Sequence, residues 1–347
     1  MALENAQALL KYCYLEKIQN KISECHSLVQ RSYIVQGIEI DLYADSHLSA
    51  LISDYFASLY IGDSALHVKP VQYNLRIVKK TPGVPANAAK AIAGPAVTAY
   101  SNGREIYFLS KHGSSICLDP VDMKANGFLK EDILINPAEL FPLLGASLVE
   151  ILRYYGFFFL HAAALYINKV AYLISGDGGS GKTTATLSLV REGSQYVTDD
   201  SLFLKDDNGG IVISPLYKHV HVDKDLAGRF PEISGGKGLK IKAGTKVPID
   251  ISFFYPDAFI PSLKPDVIIF PVITSAGTSR VTPLTQTEMY KNLLKQTVLA
   301  VDKHIAQEQL RIIGTLVRQT KGFALLSGRD MYEDSAILVG LLRKIHA

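Results

Sequence analysis

Residues 176–183 read Gly-Asp-Gly-Gly-Ser-Gly-Lys-Thr and fill each fixed position of the pattern G-x-x-x-x-G-K-[ST]. The pattern carries a mechanism only between a buried strand and a helix. Both flanks are present: Val170 to Ser175 is a short apolar run, and Thr183 to Glu192 has helical composition and spacing. The glycines Gly176, Gly178, Gly179 and Gly181, with Asp177 and Ser180 between them, let successive backbone N–H groups curl round phosphate oxygens. The helix N-terminus that follows adds partial positive charge. Lys182 supplies a full charge for the β- and γ-phosphates, the Thr183 hydroxyl is a ligand for Mg²⁺, and Thr184 continues the first turn against the phosphates. The motif therefore predicts a nucleotide triphosphate, ATP with Mg²⁺, as ligand.

At 347 residues and 48% hydrophobic content, the chain can bury one large core or two ordinary ones. Net charge is +3, from 36 Lys and Arg against 33 Asp and Glu. That balance gives no reason to expect nucleic acid or a membrane surface as partner. Cys13, Cys25 and Cys117 are widely spaced, so neither a disulfide framework nor a zinc site is expected, and a reducing cytoplasm fits. Glu4 interrupts any cationic leader, and His161, Asn168 and Lys169 interrupt the most apolar stretch, 157–175, which reads as core strands.

The spacing predicts three regions. Residues 1–30 read as a helix with a narrow seam of Leu15, Ile18, Ile22, Cys25 and Val29, to be covered by the chain's own body or by another subunit of a homo-oligomer. Residues 31–137 read as a small α+β domain with an antiparallel sheet. Its strands show in the alternation of Ile38, Ile40 and Leu42 and of Val71, Tyr73, Leu75 and Ile77, and its hairpin in Asn102-Gly103. A helix lies over 47–59, and 81–95 reads as a surface loop. Residues 138–347 read as an α/β domain with a central mixed sheet and C-terminal helices, opening with a helix over 138–155. Val267 to Ile273 is its doubly buried strand, and Thr285-Gln-Thr-Glu288 opens a helix to about Lys303.

Asp199 and Asp200 stand at the end of a predicted strand, seventeen residues after Lys182. Paired carboxylates there suit phosphoryl transfer: one holds Mg²⁺, the other takes the proton of an attacking hydroxyl. His161 lies fifteen residues before Gly176, on a strand adjoining the loop. Lys237, Lys240 and Lys242 sit in a Gly-rich stretch able to close over phosphates, and Arg280 follows the buried strand as a candidate for the transferring phosphoryl group. His219 and His221 alternate on one strand, without a third ligand at metal spacing.

From His161 through Leu204 the chain resembles the catalytic domain of HPr kinase/phosphorylase and its relatives. The shared layout is a His, a strand hairpin, the glycine-rich loop, a helix ending at Gly193 and a strand leading to Asp199-Asp200. The resemblance implies the phosphate-loop fold shared with phosphoenolpyruvate carboxykinase, with Asp199 as base for a seryl hydroxyl, Asp200 at the metal and His161 in the active site. Two features depart from that family. The stretch Ser234-Gly-Gly-Lys-Gly-Leu-Lys-Ile241 lacks the acid of the E-I-R-G-L-G-type signature that serves the reverse reaction, so phosphorylase activity is not expected. The first 150 residues are more similar to divergent HPr-kinase-like proteins, among them kinases of ribosomal peptide pathways such as lasso peptides. The resulting expectation is a serine kinase acting on a peptide or small protein. A kinase of a small hydroxy compound such as free serine, and a nucleotide-gated regulator that transfers nothing, are the alternatives.

If the lysine and loop amides carry phosphate recognition, Lys182→Ala abolishes Mg-ATP binding. Calorimetry that returned an unchanged affinity would remove the loop from the mechanism.

Overall fold

The computed structural model describes residues 28–62, 66–134, 137–217, 219–234, 246–333 and 336–345. Most of the helix expected over 1–30 lies outside them. By contacts the chain divides into two compact units, one holding the described residues within 28–57 and 66–151, the other those within 58–62 and 152–345.

The front unit is an eight-stranded sheet, built from β1 (Leu28–Val35), β2 (Ile38–Asp45), β3 (Val71–Ile77), β4 (Ala89–Ala93), β5 (Val97–Ser101), β6 (Ile106–Ser110), β7 (Ser115–Asp119) and β8 (Lys124–Leu129). Their order is β1-β2-β3-β8-β7-β6-β5-β4. Gln36 and Gly37, both at positive φ, make the tight turn from β1 to β2. Residues 28–30, expected to end a helix, are therefore strand: β1 pairs with β2 from Leu28↔Asp45 to Val35↔Ile38, and this ladder outweighs the helical spacing. Nor is the sheet wholly antiparallel. Helix α1 (Ser46–Ala57) is the crossover that sets β3 parallel to β2, and the excursion through β4 to β7 returns β8 parallel to β3. Within the stretch expected to be loop, β4 is a largely exposed edge strand of Ala, Lys and Ile92, which lacks the alternation that marks a half-buried strand. Helix α2 (Leu140–Arg153), expected to open the second domain, belongs to the front unit as far as Ile151. Tyr73 Oη meets Ser147 Oγ at 3.2 Å there, and Phe141 stacks on Tyr55.

The second unit is built on another eight-stranded sheet. Its strands are β9 (Phe158–Ile167), β10 (Val170–Ser175), β11 (Gln195–Thr198), β12 (Ser201–Asp207), β13 (Gly210–Pro215), β16 (Val267–Ile273), β17 (Arg280–Pro283) and β18 (Lys321–Ser327); β14 (Val220–Val222) and β15 (Val247–Ile249) form a separate pair. The order is β13-β12-β9-β10-β16-β18-β17, with β11 also on β9. Parallel pairing of β10 with β16 and β16 with β18, among antiparallel neighbours, makes the sheet mixed.

Helices cover both faces. Ala171 and Leu173 of β10, with Ile268 and Phe270 of β16, share one core with Met289, Leu293, Ile312 and Leu316. These last residues belong to α5 (Gln286–Lys295) and α6 (Lys303–Gln319). Tyr172, Ile174, Val267 and Ile269 point the other way, into a core with Leu187 of α3 (Lys182–Arg191), Leu226 of α4 (Lys224–Arg229) and Leu338 of α7 (Ala336–Lys344). Burial on both faces explains the unbroken apolar runs of β10 and of Val267 to Phe270 in β16, whereas Val272 and Ile273, expected to be buried too, are exposed. The capping box Thr285/Glu288 forms, but α5 stops at Lys295, short of the expected Lys303. Asp302 then caps α6, a helix absent from the sequence reading.

Leu173 is fully buried at the centre of this sheet. Leu173→Ala should lower unfolding free energy by about 2–5 kcal/mol, the range for a buried leucine that leaves a cavity. Denaturant titration checks it, and a loss under about 1 kcal/mol would mean that the site collapses around the gap.

Candidate active site

Strand β10 ends at Ser175 and α3 starts at Lys182, so the glycine-rich loop occupies the turn between them. Its glycines serve different ends. Gly179 and Gly181 have φ of 80° and 92°, conformations that side chains disfavour. A Cβ at Gly176 would press on Ser180 Oγ at 3.1 Å and on the Pro271 ring at 3.3 Å. At Gly178 neither applies; a Cβ there would project into open space, so only close approach of a ligand calls for glycine. Gly181 is the N-cap of α3 and provides no side-chain cap, which leaves the first-turn amides to other acceptors.

Lys182 is buried and donates through Nζ to the carbonyls of Gly176 at 2.6 Å and Asp177 at 3.1 Å. Burial lowers its pKa, against the pull of Asp200, Asp177 and Asp199. Thr183 donates through Oγ1 to Asp199 Oδ2 at 2.9 Å. Asp199 is 1% exposed, and its Oδ1 has no hydrogen-bond partner. Burial pushes its carboxyl up to about 7; the Thr183 hydroxyl opposes that rise and the Asp200 charge adds to it. The next carboxylate points elsewhere. Asp200 Oδ1 lies 3.2 Å from His161 Nδ1, and its Oδ2 accepts from Ser201 Oγ at 3.0 Å. Burial lowers the His161 pKa while Asp200 raises it. In the neutral ring the proton then sits on Nδ1, which leaves Nε2 as an acceptor.

The strand geometry accounts for this convergence. Both β11 and β12 pair with β9, through Thr198↔Ala164 and Ser201↔His161 respectively. Asp199 and Asp200 occupy the break between them, and His161 is opposite the first residue after it. A cavity of about 480 Å³ opens here, bordered by Gly178 to Ala185, His161 and Asp200, with Ile174, Ile269 and Leu325 in its apolar lining. Asp200 borders it, whereas Asp199 lies behind Thr183.

Arg280 is not brought into this cavity. It is exposed on edge strand β17, with β18 and β16 between it and β10, because the chain returns antiparallel to β18 at Arg280↔Leu326. Lys237, Lys240 and Lys242 lie outside the described residues. Sequence reasoning overlooked Lys246 and gave His221 no place beside the loop, although both border the cavity. It also missed Gln296, whose amide donates to Asp177 Oδ1 at 2.6 Å. No motif marks these three, which arrive from separate segments.

Among the described residues no group of three His, Cys, Asp or Glu is arranged to hold a metal ion. The Thr183 hydroxyl, the unpartnered Asp199 Oδ1 and the Asp200 carboxylate are nevertheless hard oxygen donors. Such a sparse oxygen set fits Mg²⁺, which takes one or two carboxylates and completes its shell with phosphates and water. Nor is any described helix long and apolar enough to cross a membrane.

No family model matches the chain. Among curated proteins, HPr kinase/phosphorylase of Clostridium perfringens is 32% identical over 96 residues, 28% of this chain and 25% of the relative. That of Clostridium beijerinckii is 31% identical over 100 residues, 28% of this chain and 26% of the relative. The chain is HPr-kinase-like. It spans about a quarter of the length of the curated relatives it matches. Among solved structures, the Hpr(Ser) kinase/phosphatase of Coxiella burnetii aligns with a TM-score of 0.30 and 15% identity, covering 55% of this chain and 99% of that one.

The raised Asp199 pKa has a thermodynamic consequence in this HPr-kinase-like site. A carboxyl with a raised folded pKa contributes stability that is full below its unfolded value near 3.8 and lost as pH climbs through about 7. Asp199→Asn is neutral throughout. In a chelator, its melting temperature should fall less than that of the unsubstituted protein between pH 4.5 and 8, and parallel curves would show that Asp199 is not held protonated.

Proposed function

We propose that this chain is an ATP-dependent, Mg²⁺-assisted serine kinase that transfers the γ-phosphoryl group to a hydroxyl of a peptide or small protein in the cytoplasm. The observation that carries the reading is the Thr183–Asp199 hydrogen bond at 2.9 Å, with Asp200 and His161 beside it on the same cavity. A phosphate loop joined to two carboxylates and a histidine suits transfer to a nucleophile; a nucleotide sensor has no need of the second carboxylate. The sequence likeness to HPr kinase/phosphorylases supports the same class.

The chain's residues divide the work as follows. Loop amides and Lys182 bind the triphosphate, and Lys182 exchanges its carbonyl partners for phosphate oxygens. Bound Mg²⁺ would neutralise charge on the phosphates. Thr183 and Asp199 are suited to hold it, because Asp199 is buried against the Thr183 hydroxyl. Asp200 borders the cavity and is oriented by His161, so it is the carboxylate suited to take the acceptor proton as the new P–O bond forms and the bond to the ADP oxygen breaks. This reverses the roles that the family resemblance implies for the pair. The second unit, residues 152–345, supplies every group named here, and the front unit is assigned to acceptor contact or scaffolding.

Labelled ATP should phosphorylate a peptide or small protein in a panel that also contains free serine. Labelling of free serine alone would make this a small-molecule kinase, and nucleotide binding without any acceptor a regulator. With an acceptor in hand, Asp200→Asn should keep Mg-ATP affinity while transfer falls by about 10²–10⁴-fold. Asp199→Asn should instead raise the magnesium needed for half-maximal rate. Exchanged phenotypes would restore Asp199 as the base.

A further inference from the structure

The phosphate loop contains a group that works against its purpose. Asp177 places a carboxylate on a turn whose amides and lysine are arranged for anions, and like charges at such range repel. Its carboxylate is nevertheless restrained. Gln296 donates from Nε2 to Asp177 Oδ1 at 2.6 Å. Through its backbone carbonyl, the same residue accepts from the His161 amide at 2.9 Å. Gln296 therefore touches both the loop that would hold the donor phosphates and the strand carrying the histidine beside Asp200.

The residue is itself rigidly placed. It is the C-cap of α5, with its own amide donating to the Leu293 carbonyl. The next residue, Thr297, donates through Oγ1 to the Phe159 carbonyl of β9 at 2.6 Å. Behind both is Gln309 of α6, fully buried. Its Nε2 donates to Thr297 Oγ1 at 2.9 Å and to the Val298 carbonyl at 3.1 Å, and its Oε1 accepts from the Ala300 amide at 2.9 Å. A buried amide with every partner satisfied in this way fixes the segment after α5 against the sheet.

We propose that Gln296 is a positioning residue that holds the Asp177 carboxylate off the phosphate site and locks the loop to the His161 strand. The inference rests on the phosphate-loop reading above. Released from Gln296, the Asp177 side chain would be free to turn toward the phosphates, and the loop would have to be ordered on binding.

The polarity of one hydrogen bond supplies the test. Gln296→Glu sets two acceptors against each other and should weaken Mg-ATP binding by about tenfold, the order for one lost charge-assisted hydrogen bond. Asp177→Asn alone keeps an acceptor for Gln296, and its affinity is the reference against which the double variant is read. Combining Asp177→Asn with Gln296→Glu restores the bond in the opposite sense, since the Asn amide now donates to the Glu carboxylate. That double variant should return to within about threefold of the Asp177→Asn affinity, as expected where two residues act on each other. Calorimetry reads the affinities, and melting curves without nucleotide report folding separately. A Gln296→Glu variant with unchanged affinity, or a double variant no better than the single one, would overturn the proposal, while restored affinity supports it even if Gln296→Glu melts early. Lys182→Ala distinguishes the two levels. If it abolishes binding while the Gln296 variants are silent, only this inference fails; if it too is silent, the phosphate-loop reading fails first.

Discussion

The bond between Thr183 and Asp199 joins two parts of the second unit that the α3-β11 segment, with Leu187, Val190 and Tyr196 in one core, already brings together. One is the first turn of α3, set by a loop that leaves β10; the other is the interruption between β11 and β12. Asp199 is almost wholly withdrawn from water, and its second oxygen has no partner. Even with the Thr183 hydroxyl and backbone amides on it, a carboxylate in such surroundings is expensive to ionise, which leaves the site an electrostatic deficit. A cation, or a proton, satisfies it. The rise of its pKa to about 7 expresses the same deficit as a proton affinity.

Asp199 and Asp200 are adjacent in sequence yet are held by different neighbours. One is inside, on a threonine; the other borders a cavity, on a histidine and a serine. Neighbouring residues of extended chain point to opposite sides, and the break between two strands exaggerates that divergence. The front unit uses similar physics without similar chemistry. Its β2-α1-β3 crossover makes a parallel core, while its later strands follow one another as hairpins.

Much of the second unit was legible in the sequence, for stated reasons. The glycine-rich loop has a recognisable spelling, and β10 and the first four residues of β16 are apolar on both faces because helices cover both. The capping box at Thr285 has a local signature, and it formed. Other elements were hidden because their placement is decided by distant pairing. In β1 the ladder to β2 takes residues whose spacing reads as helix, and β4 has too little burial to impose alternation. At the site, the sequence supplied the phosphate-loop residues and the Asp pair but not Gln296, Lys246 or His221 as their neighbours. Each of these three comes from a segment remote along the chain, and a glutamine after a helix has no spelling that announces a partner 119 residues away. Arg280 shows the converse: a suitable residue type soon after a buried strand, carried by the return of the chain to the edge of the sheet.

Strand β9 holds the two sides of the Asp pair separately. β11 is fastened to it at Leu165 and Tyr166 and is covered on its far side by residues 258–260 through Tyr196; β12 is fastened at 158–161 and continues into the hairpin with β13. The backbone between these two anchors is insulated. Each of the two segments takes its register from β9. Strand β9 thus acts as a fixed rail, and both carboxylates keep their places by reference to it.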